Sequence, residues 1–264
     1  MNAYNNGAFS NRIKCIMSCL RKSEKFDILW IVNPKKVDVH FHDLFENKEF
    51  LIVDKKSNEP HWDSSRLLIY SNEIVENFSS LNCDLTRKPY KDFPKDGRAI
   101  DHEYTRIPND LQLMYRSLLN KLVIKEDVLN YVRKFMDENK LINKQFTALH
   151  VRTWNYGSLN HTRREAMRKN TVDINYLIQK IEAILSSDTR FFIASDNSRI
   201  IEHFQKYDNV CVTSFYRKQS PDTLNGFIDM LIASHANSLY LTLHSTFSEM
   251  IWWYNKNHPS VDLI

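Results

Sequence analysis

Residues 146–157 read FTALHVRTWNYG, and this stretch decides the fold. Phe146 to Val151 is a short run of apolar and β-branched residues, the pattern of a strand buried on both faces. Arg152, Thr153 and Asn155 then follow, and Gly157 closes the stretch. Open α/β sheets bind their ligands beyond the carboxyl ends of the strands, where this polar cluster falls. His150 and Arg152 are two residues apart, so a pleated strand points both to one face. Side by side they are either ligand-binding groups or a satisfied semi-buried histidine next to an arginine paired with an acidic neighbour.

The same alternation extends in both directions. Downstream, apolar strand runs at Phe191–Ala194, Val210–Val212 and Leu239–Leu243 alternate with helical patterns at Asp173–Ser186, Ser198–Tyr207, Thr223–Ser234 and Ser245–Tyr254. Asp173 is placed to cap the first of these helices. Upstream lie strand runs at Ile28–Val32, Phe50–Val53 and Leu67–Tyr70, and helical patterns at Asn11–Lys25 and Glu126–Lys140. Strand–helix alternation predicts an α/β protein with parallel sheets and helices on their faces. Turn formers and charges from Thr86 to Asn109 predict a long loop. The organisation expected is an N-terminal α/β half over residues 1–125 and a C-terminal Rossmann-like half over 126–264, joined by the helix near 126–140.

Composition narrows the function. Hydrophobic residues at 42% and charged residues at 26% match a globular chain and exclude disorder and collagen. No apolar run approaches the ~18 residues of a membrane-spanning helix, and the first twenty residues lack a charged-then-apolar signal pattern. Four cysteines in 264 residues exclude a disulfide-dense scaffold and fit a reducing cytosol, so a cytoplasmic location is expected. The net charge of +4 suits an anionic substrate, but no nucleic-acid-binding module accompanies it. Only four glycines occur, against an average near ~7%. Three of them, Gly7, Gly157 and Gly226, lie beside polar segments.

Three further segments carry chemistry. Asn5 to Arg12 is a small polar turn feeding a helix, a natural anion cradle to which Arg12 adds a charge-assisted bond. Alternatively, Ser10 or Asn11 caps the helix and Arg12 is solvated. The strand Phe191–Ala194 ends in Ser195, Asp196 and Asn197. Asp196 either accepts hydrogen bonds from a ligand or caps the helix at Ser198. Gly226 to Asp229 leads to Ser245, Thr246, Phe247 and Ser248, three hydroxyls at a helix start that form a second phosphate-binding candidate or a simple cap. Asp229, inside an apolar helix, needs a partner if buried. Cys15 and Cys19 read as buried thiols, and His40, His42 and Asp43 as a loop cluster, in preference to metal ligands.

Together these segments resemble the GT-B fucosyltransferase superfamily, which includes α-1,6-fucosyltransferases, the rhizobial nodulation fucosyltransferase and protein O-fucosyltransferases. The opening GAFSNRIKCIMSCLRKSEKFDILWIVNP with the downstream DLFE, the segment HVRTWN, the strand end FFIASDN, and GFIDMLIASHANSLYLTLHSTFSEMIWW carry the resemblance. It runs from Gly7 to about Tyr254, with Asp54–Pro108 unmatched. It implies two Rossmann-like halves facing across a cleft, and an inverting transfer without a bound metal or other cofactor. It also implies a GDP-sugar donor, with GDP-fucose usual, and a glycan acceptor on the N-terminal half. Arg152 matches the arginine that grips the donor diphosphate, and His150 its neighbouring donor-site histidine. Ser245, Thr246, Phe247 and Ser248 match the phosphate-binding turn, and Asp229 an acidic residue facing guanine. Asn11 and Arg12 match the pair opening the first helix.

Several positions depart from the family pattern. Thr153 stands where the family has a second arginine, Asn155 where it has an acidic residue, and Ser10 where a glycine precedes the opening asparagine. Only six residues precede Gly7, so the family's first strand is expected to be nearly missing. Another nucleotide-sugar donor, or a non-catalytic nucleotide- or glycan-binding relative, are the alternatives. Base candidates are His161, Glu165 and the cluster Asp101, His102 and Glu103. Trp62, Tyr90, Phe93 and Tyr104 could form a sugar platform.

Overall fold

The computed structural model describes residues 2–4, 8–22, 27–33, 37–48, 52–56, 67–69, 109–142, 145–153, 173–213, 222–242 and 245–264. The base candidates and the proposed sugar-platform residues lie outside these, as do Gly7, Gly97, Gly157, Asn155 and most of the Thr86–Asn109 loop. The side chains of Cys15 and Cys19 are likewise outside them.

Among the described residues, two parallel sheets form. The first has the order β3-β2-β1-β4, from β1 (Asn2–Tyr4), β2 (Asp27–Val32), β3 (Ile52–Lys56) and β4 (Leu67–Ile69). The first strand is present as the short β1, in keeping with the expectation that it is nearly missing. Three residues suffice because β1 pairs on both edges, Ala3 lying opposite Ile28 and Leu68. The second sheet has the order β7-β6-β5-β8-β9, from β5 (Phe146–Val151), β6 (Arg190–Ser195), β7 (Val210–Cys211), β8 (Ser238–Leu241) and β9 (Val261–Leu263). Its crossovers run outward from β5 in one direction and from β8 in the other. The chain order therefore reverses between β5 and β8, and a crevice opens there at the carboxyl ends.

The helices are α1 (Phe9–Lys22), α2 (Phe41–Leu44), α3 (Asn109–Asn120), α4 (Glu126–Glu138), α5 (Ile174–Ile184), α6 (Ser198–Phe204), α7 (Thr223–Ala233) and α8 (Thr246–Tyr254). Strand pleating sorts them. Leu149 and Val151 with Phe191 and Ile193 face a core made by α5 and α6. Phe146, Ala148, Phe192 and Ala194 face the opposite core, to which α4, α7 and α8 contribute. That second core continues without a break into α1, α2, α3 and β2. Its aromatic spine runs from Trp30 through Phe41 (5.6 Å) and Phe45 (4.8 Å, stacked) to Phe227 (5.4 Å), which also meets Phe9 at 4.9 Å. Asp38 adds polar stitching, its carboxylate accepting from the Thr223 N–H at 3.0 Å at the start of α7.

Helix ends follow local rules. Asp173 caps α5 by accepting from the Asn175 N–H, as its position predicts. The helix α3 has no counterpart among the helices expected from sequence, and it starts at Asn109, the last residue of the expected loop. Its apolar positions Tyr115, Leu118 and Leu119 are buried at helical spacing just after the Pro108 break. Asp43 accepts from the His40 N–H at 3.0 Å, which gives part of the His40–Asp43 cluster a capping role at α2.

The His258 ring packs edge-on against Trp252 (5.1 Å) in a left-handed turn (φ 44°), and burial together with nearby Arg116 lowers its pKa to about 4. An unfolded chain protonates this ring below pH ~6.5, whereas the native ring stays neutral until about pH 4. Stability is thus complete above pH 6.5 and falls as the pH drops through that window. His258→Gln is expected to flatten this part of the acid-unfolding profile, measured as denaturation midpoint against pH. An unchanged slope would show that the ring is solvated.

Candidate active site at the sheet crevice

The site is built from the carboxyl ends of β5, β6 and β8. Extended chain places His150 on the same side of β5 as Ala148, and it is buried there at 5% exposure. Its Nδ1 lies 2.6 Å from Ser248 Oγ, and its ring stacks on Phe247 at 4.6 Å. Thr242, just beyond β8, ties the two strand ends. Its hydroxyl donates to the His150 carbonyl (2.7 Å) and accepts from the Arg152 N–H (2.9 Å), and its own N–H donates to Ser248 Oγ (3.2 Å). The Arg152 backbone is therefore two hydrogen bonds from the first turn of α8. Of the residues singled out in the sequence, His150, the Arg152 backbone and Ser248 are brought together here. Thr242 was hidden inside an apolar run, its only signal being a hydroxyl where the strand ends.

Ser245 caps α8, its side chain accepting from the Ser248 N–H at 3.3 Å. Thr246 and Phe247 are only partly buried in the first turn. Their backbone N–H groups stand at the positive end of the helix without intrahelical acceptors, the arrangement that receives anions.

Asp196 organises the other side of the crevice. One oxygen meets the Arg152 guanidinium at 3.0 Å, and the other accepts from the Thr153 N–H (2.7 Å) and hydroxyl (3.1 Å). Asn197 Nδ2 donates to the same Thr153 hydroxyl at 3.3 Å. The cap of α6 is Asn197, accepting from the Arg199 N–H at 3.0 Å, so Asp196 is free of capping duty. The Arg152 side chain keeps 39% exposure, which leaves guanidinium N–H groups open to solvent beside the ion pair.

Asp229 is buried on α7 and accepts from the Thr213 hydroxyl at 2.6 Å, the partner its burial demands. Thr213 lies just past β7, so Asp229 also borders the carboxyl side of the sheet. Asn11 and Arg12 occupy the first turns of α1, which begins at Phe9 with the Ala8 carbonyl accepting from both their N–H groups. Neither Ser10 nor Asn11 is then the cap. Arg12 is buried rather than solvated, donating to the Ile31 carbonyl and lying 5.4 Å over the Trp30 ring.

Among the described residues no group of three His, Cys, Asp or Glu side chains could hold a metal ion. A surface cavity of about 310 Å³ lined by Ser187, Asp188, Thr189, Arg190, Asp208 and Asn209 lies at the amino end of β6, away from this chemistry. The convergent polar groups, rather than cavity size, mark the crevice as the candidate site. Among the described residues, no helix is long and apolar enough to cross a membrane.

No protein-family model matches the sequence. No curated protein matches it either. Solved structures do match over nearly the whole chain. POFUT1 in complex with GDP is similar with a TM-score of 0.53 at 13% identity, covering 99% of this chain and 97% of that one. POFUT1 in complex with GDP-fucose gives 0.50 at 14% identity, covering 100% and 97%. NodZ α-1,6-fucosyltransferase co-crystallised with GDP gives 0.51 at 13% identity, covering 95% and 91%. With the two parallel sheets and the β5–β8 reversal described above, these likenesses show that the chain has the fold of the fucosyltransferases NodZ and POFUT1.

Proposed function

We propose that this chain is a metal-independent, inverting glycosyltransferase that moves a sugar, fucose above all, from a GDP-sugar to a glycan hydroxyl. The observation that carries this reading is the meeting of the Arg152 backbone and the start of α8 at the β5–β8 reversal, stitched by Thr242, with the partly exposed Arg152 guanidinium beside Asp196. Breaking a glycosyl–phosphate bond builds negative charge on the departing diphosphate. A site without a metal stabilises that charge with donors placed beforehand. Arg152 supplies a guanidinium, the first turn of α8 supplies N–H groups, and the Thr246 hydroxyl adds a further donor. His150 holds Ser248 and Phe247 in place and so fixes the turn. Asp229 suits guanine, whose N–H edge pairs with a carboxylate. Asn11 faces the donor from the start of α1, and Arg12 holds that helix to β2. Domain halves 1–125 and 126–264 then serve acceptor and donor, with the two sheets in a GT-B layout. A cytoplasmic location, from cysteine usage, belongs to the same reading.

A thermal-shift panel of GDP, UDP, ADP and dTDP tests it, because a ligand at 100 times its Kd stabilises the native state by about 2.7 kcal/mol. GDP is expected to raise the melting temperature by roughly 5–10 °C and the other nucleotides by less than half of that. A larger shift with UDP moves the donor to another nucleotide sugar, and no shift with GDP removes the reading.

One observation favours a second reading. Thr153 replaces a family arginine, and both its N–H and its hydroxyl are engaged by Asp196, so it adds no cation to the crevice. A nucleotide-binding relative without transfer would fit that deficit. Detectable transfer of labelled fucose from GDP-fucose to any glycan extract excludes it.

Asp196→Asn tests the positioning of Arg152. It removes the charge that orients the guanidinium while keeping a carbonyl oxygen that can accept from Thr153. GDP affinity is expected to fall about tenfold by calorimetric titration, the worth of one charge-assisted hydrogen bond. Unchanged affinity would mean that Arg152 needs no orienting partner.

A further inference from the structure

A buried ion pair joins the two sheets' helices beside the proposed phosphate turn. Lys14 of α1 places Nζ 2.9 Å from Glu249 Oε2, with side-chain exposures of 8% and 6%. The other carboxylate oxygen accepts from Trp253 Nε1 at 3.1 Å. Glu249 sits in the first turn of α8, four residues past its cap Ser245. A buried ion pair is a poor stabilising device, because well-packed apolar side chains of similar volume do as well. Its placement has an electrostatic consequence. A carboxylate in the first turn of a helix competes with any anionic ligand for the positive helix end and repels it. Lys14 and Trp253 occupy both of its oxygens and Lys14 cancels its charge.

We propose that Lys14 is a positioning residue that neutralises and holds Glu249, keeping the start of α8 open to the diphosphate of the donor. This inference rests on the glycosyltransferase reading above. It also makes donor affinity depend on α1, an element packed beside the first sheet.

The test is calorimetric titration of GDP, GMP and guanosine into wild type, Lys14→Met, Glu249→Gln and the double variant, below each variant's melting temperature. Lys14→Met leaves an uncompensated carboxylate about two helical turns or less from the phosphates, and the Coulomb interaction at an effective dielectric near 20 sets the scale. GDP affinity is expected to fall about tenfold, GMP affinity by less, and guanosine affinity to stay within about twofold. The double variant, neutral at both positions, is expected to return GDP affinity to within about twofold of wild type. Equal losses for all three ligands would indicate a purely structural role and overturn the proposal. So would a double variant as weak as Lys14→Met. If Lys14→Met does not fold, Glu249→Gln decides: the remaining lysine charge is expected to tighten GDP about threefold with guanosine unchanged, and unchanged GDP affinity overturns the proposal. Wild-type protein that binds no GDP overturns the glycosyltransferase reading and this inference together. Wild-type binding with an equally tight Lys14→Met variant overturns this inference alone.

Discussion

Arg152→Ala is expected to lower kcat/KM for GDP-fucose by about 10²–10³-fold while leaving the melting temperature within about 3 °C of wild type. The asymmetry follows from where the side chain stands. Its exposure of 39% makes the Asp196 ion pair a surface-type contact, worth on the order of 0.2–1 kcal/mol to folding. Removing a preorganised donor from a developing anion costs about 2.7–4 kcal/mol of transition-state stabilisation. Arg152→Lys is expected to recover only part of the loss, because an ammonium cannot make the planar, paired contact of a guanidinium. Radiolabel transfer assays with both variants, alongside melting curves, separate the effects. A variant with full activity would remove Arg152 from the chemistry. A variant with a collapsed melting temperature would recast it as a structural residue.

The largest expected stability effect lies far from the crevice. Phe227 of α7 is fully buried and packs against Phe9, Phe45 and Tyr254, at the centre of the spine that joins α1 and α2 to α7 and α8. Phe227→Ala removes that ring and leaves a cavity, at a cost of about 3–5 kcal/mol. For a chain of this size the melting temperature should drop on the order of 10 °C. Because the core is continuous across the elements flanking both sheets, wild type and variant are both expected to melt in one transition. Calorimetry decides: two separated transitions, or a loss below 1 kcal/mol, would mean that the spine does not couple the two sheets.

Much of this architecture is legible in the sequence. The Phe146–Val151 run is buried at every position, and its polar end falls where the sheet order reverses. Short apolar runs and helical spacing located β2, β5, β6 and the helices α4 to α8, because burial imposes those periods directly on sequence. The elements not legible in the sequence include α3, whose helical spacing directly follows a loop-like stretch, and two strands too short to show a period. Asn2–Tyr4 is too short to show a pattern and exists through pairing on both edges. Val261–Leu263 is held by β8 in the same way. At the site, the residue types that bind anions were visible, but their partners were not. Nothing in the sequence says that Asp196 grips Arg152 and Thr153, that Thr213 satisfies Asp229, or that Lys14 meets Glu249 across 235 positions. Those pairings are long-range and set by how the sheets and helices stack. Arg12 shows the same limit, since a helix-start arginine reads as an anion ligand or as solvated until the Trp30 ring is found beneath it.

A crystal structure of the protein soaked with GDP puts the two halves of the proposed diphosphate site to a single reading. One set of pyrophosphate oxygens should lie about 2.7–3.2 Å from both the Arg152 guanidinium and the backbone nitrogens at Thr246 and Phe247. Nucleotide density elsewhere on the protein, or phosphates that touch one of these groups and leave the other in solvent, would contradict it.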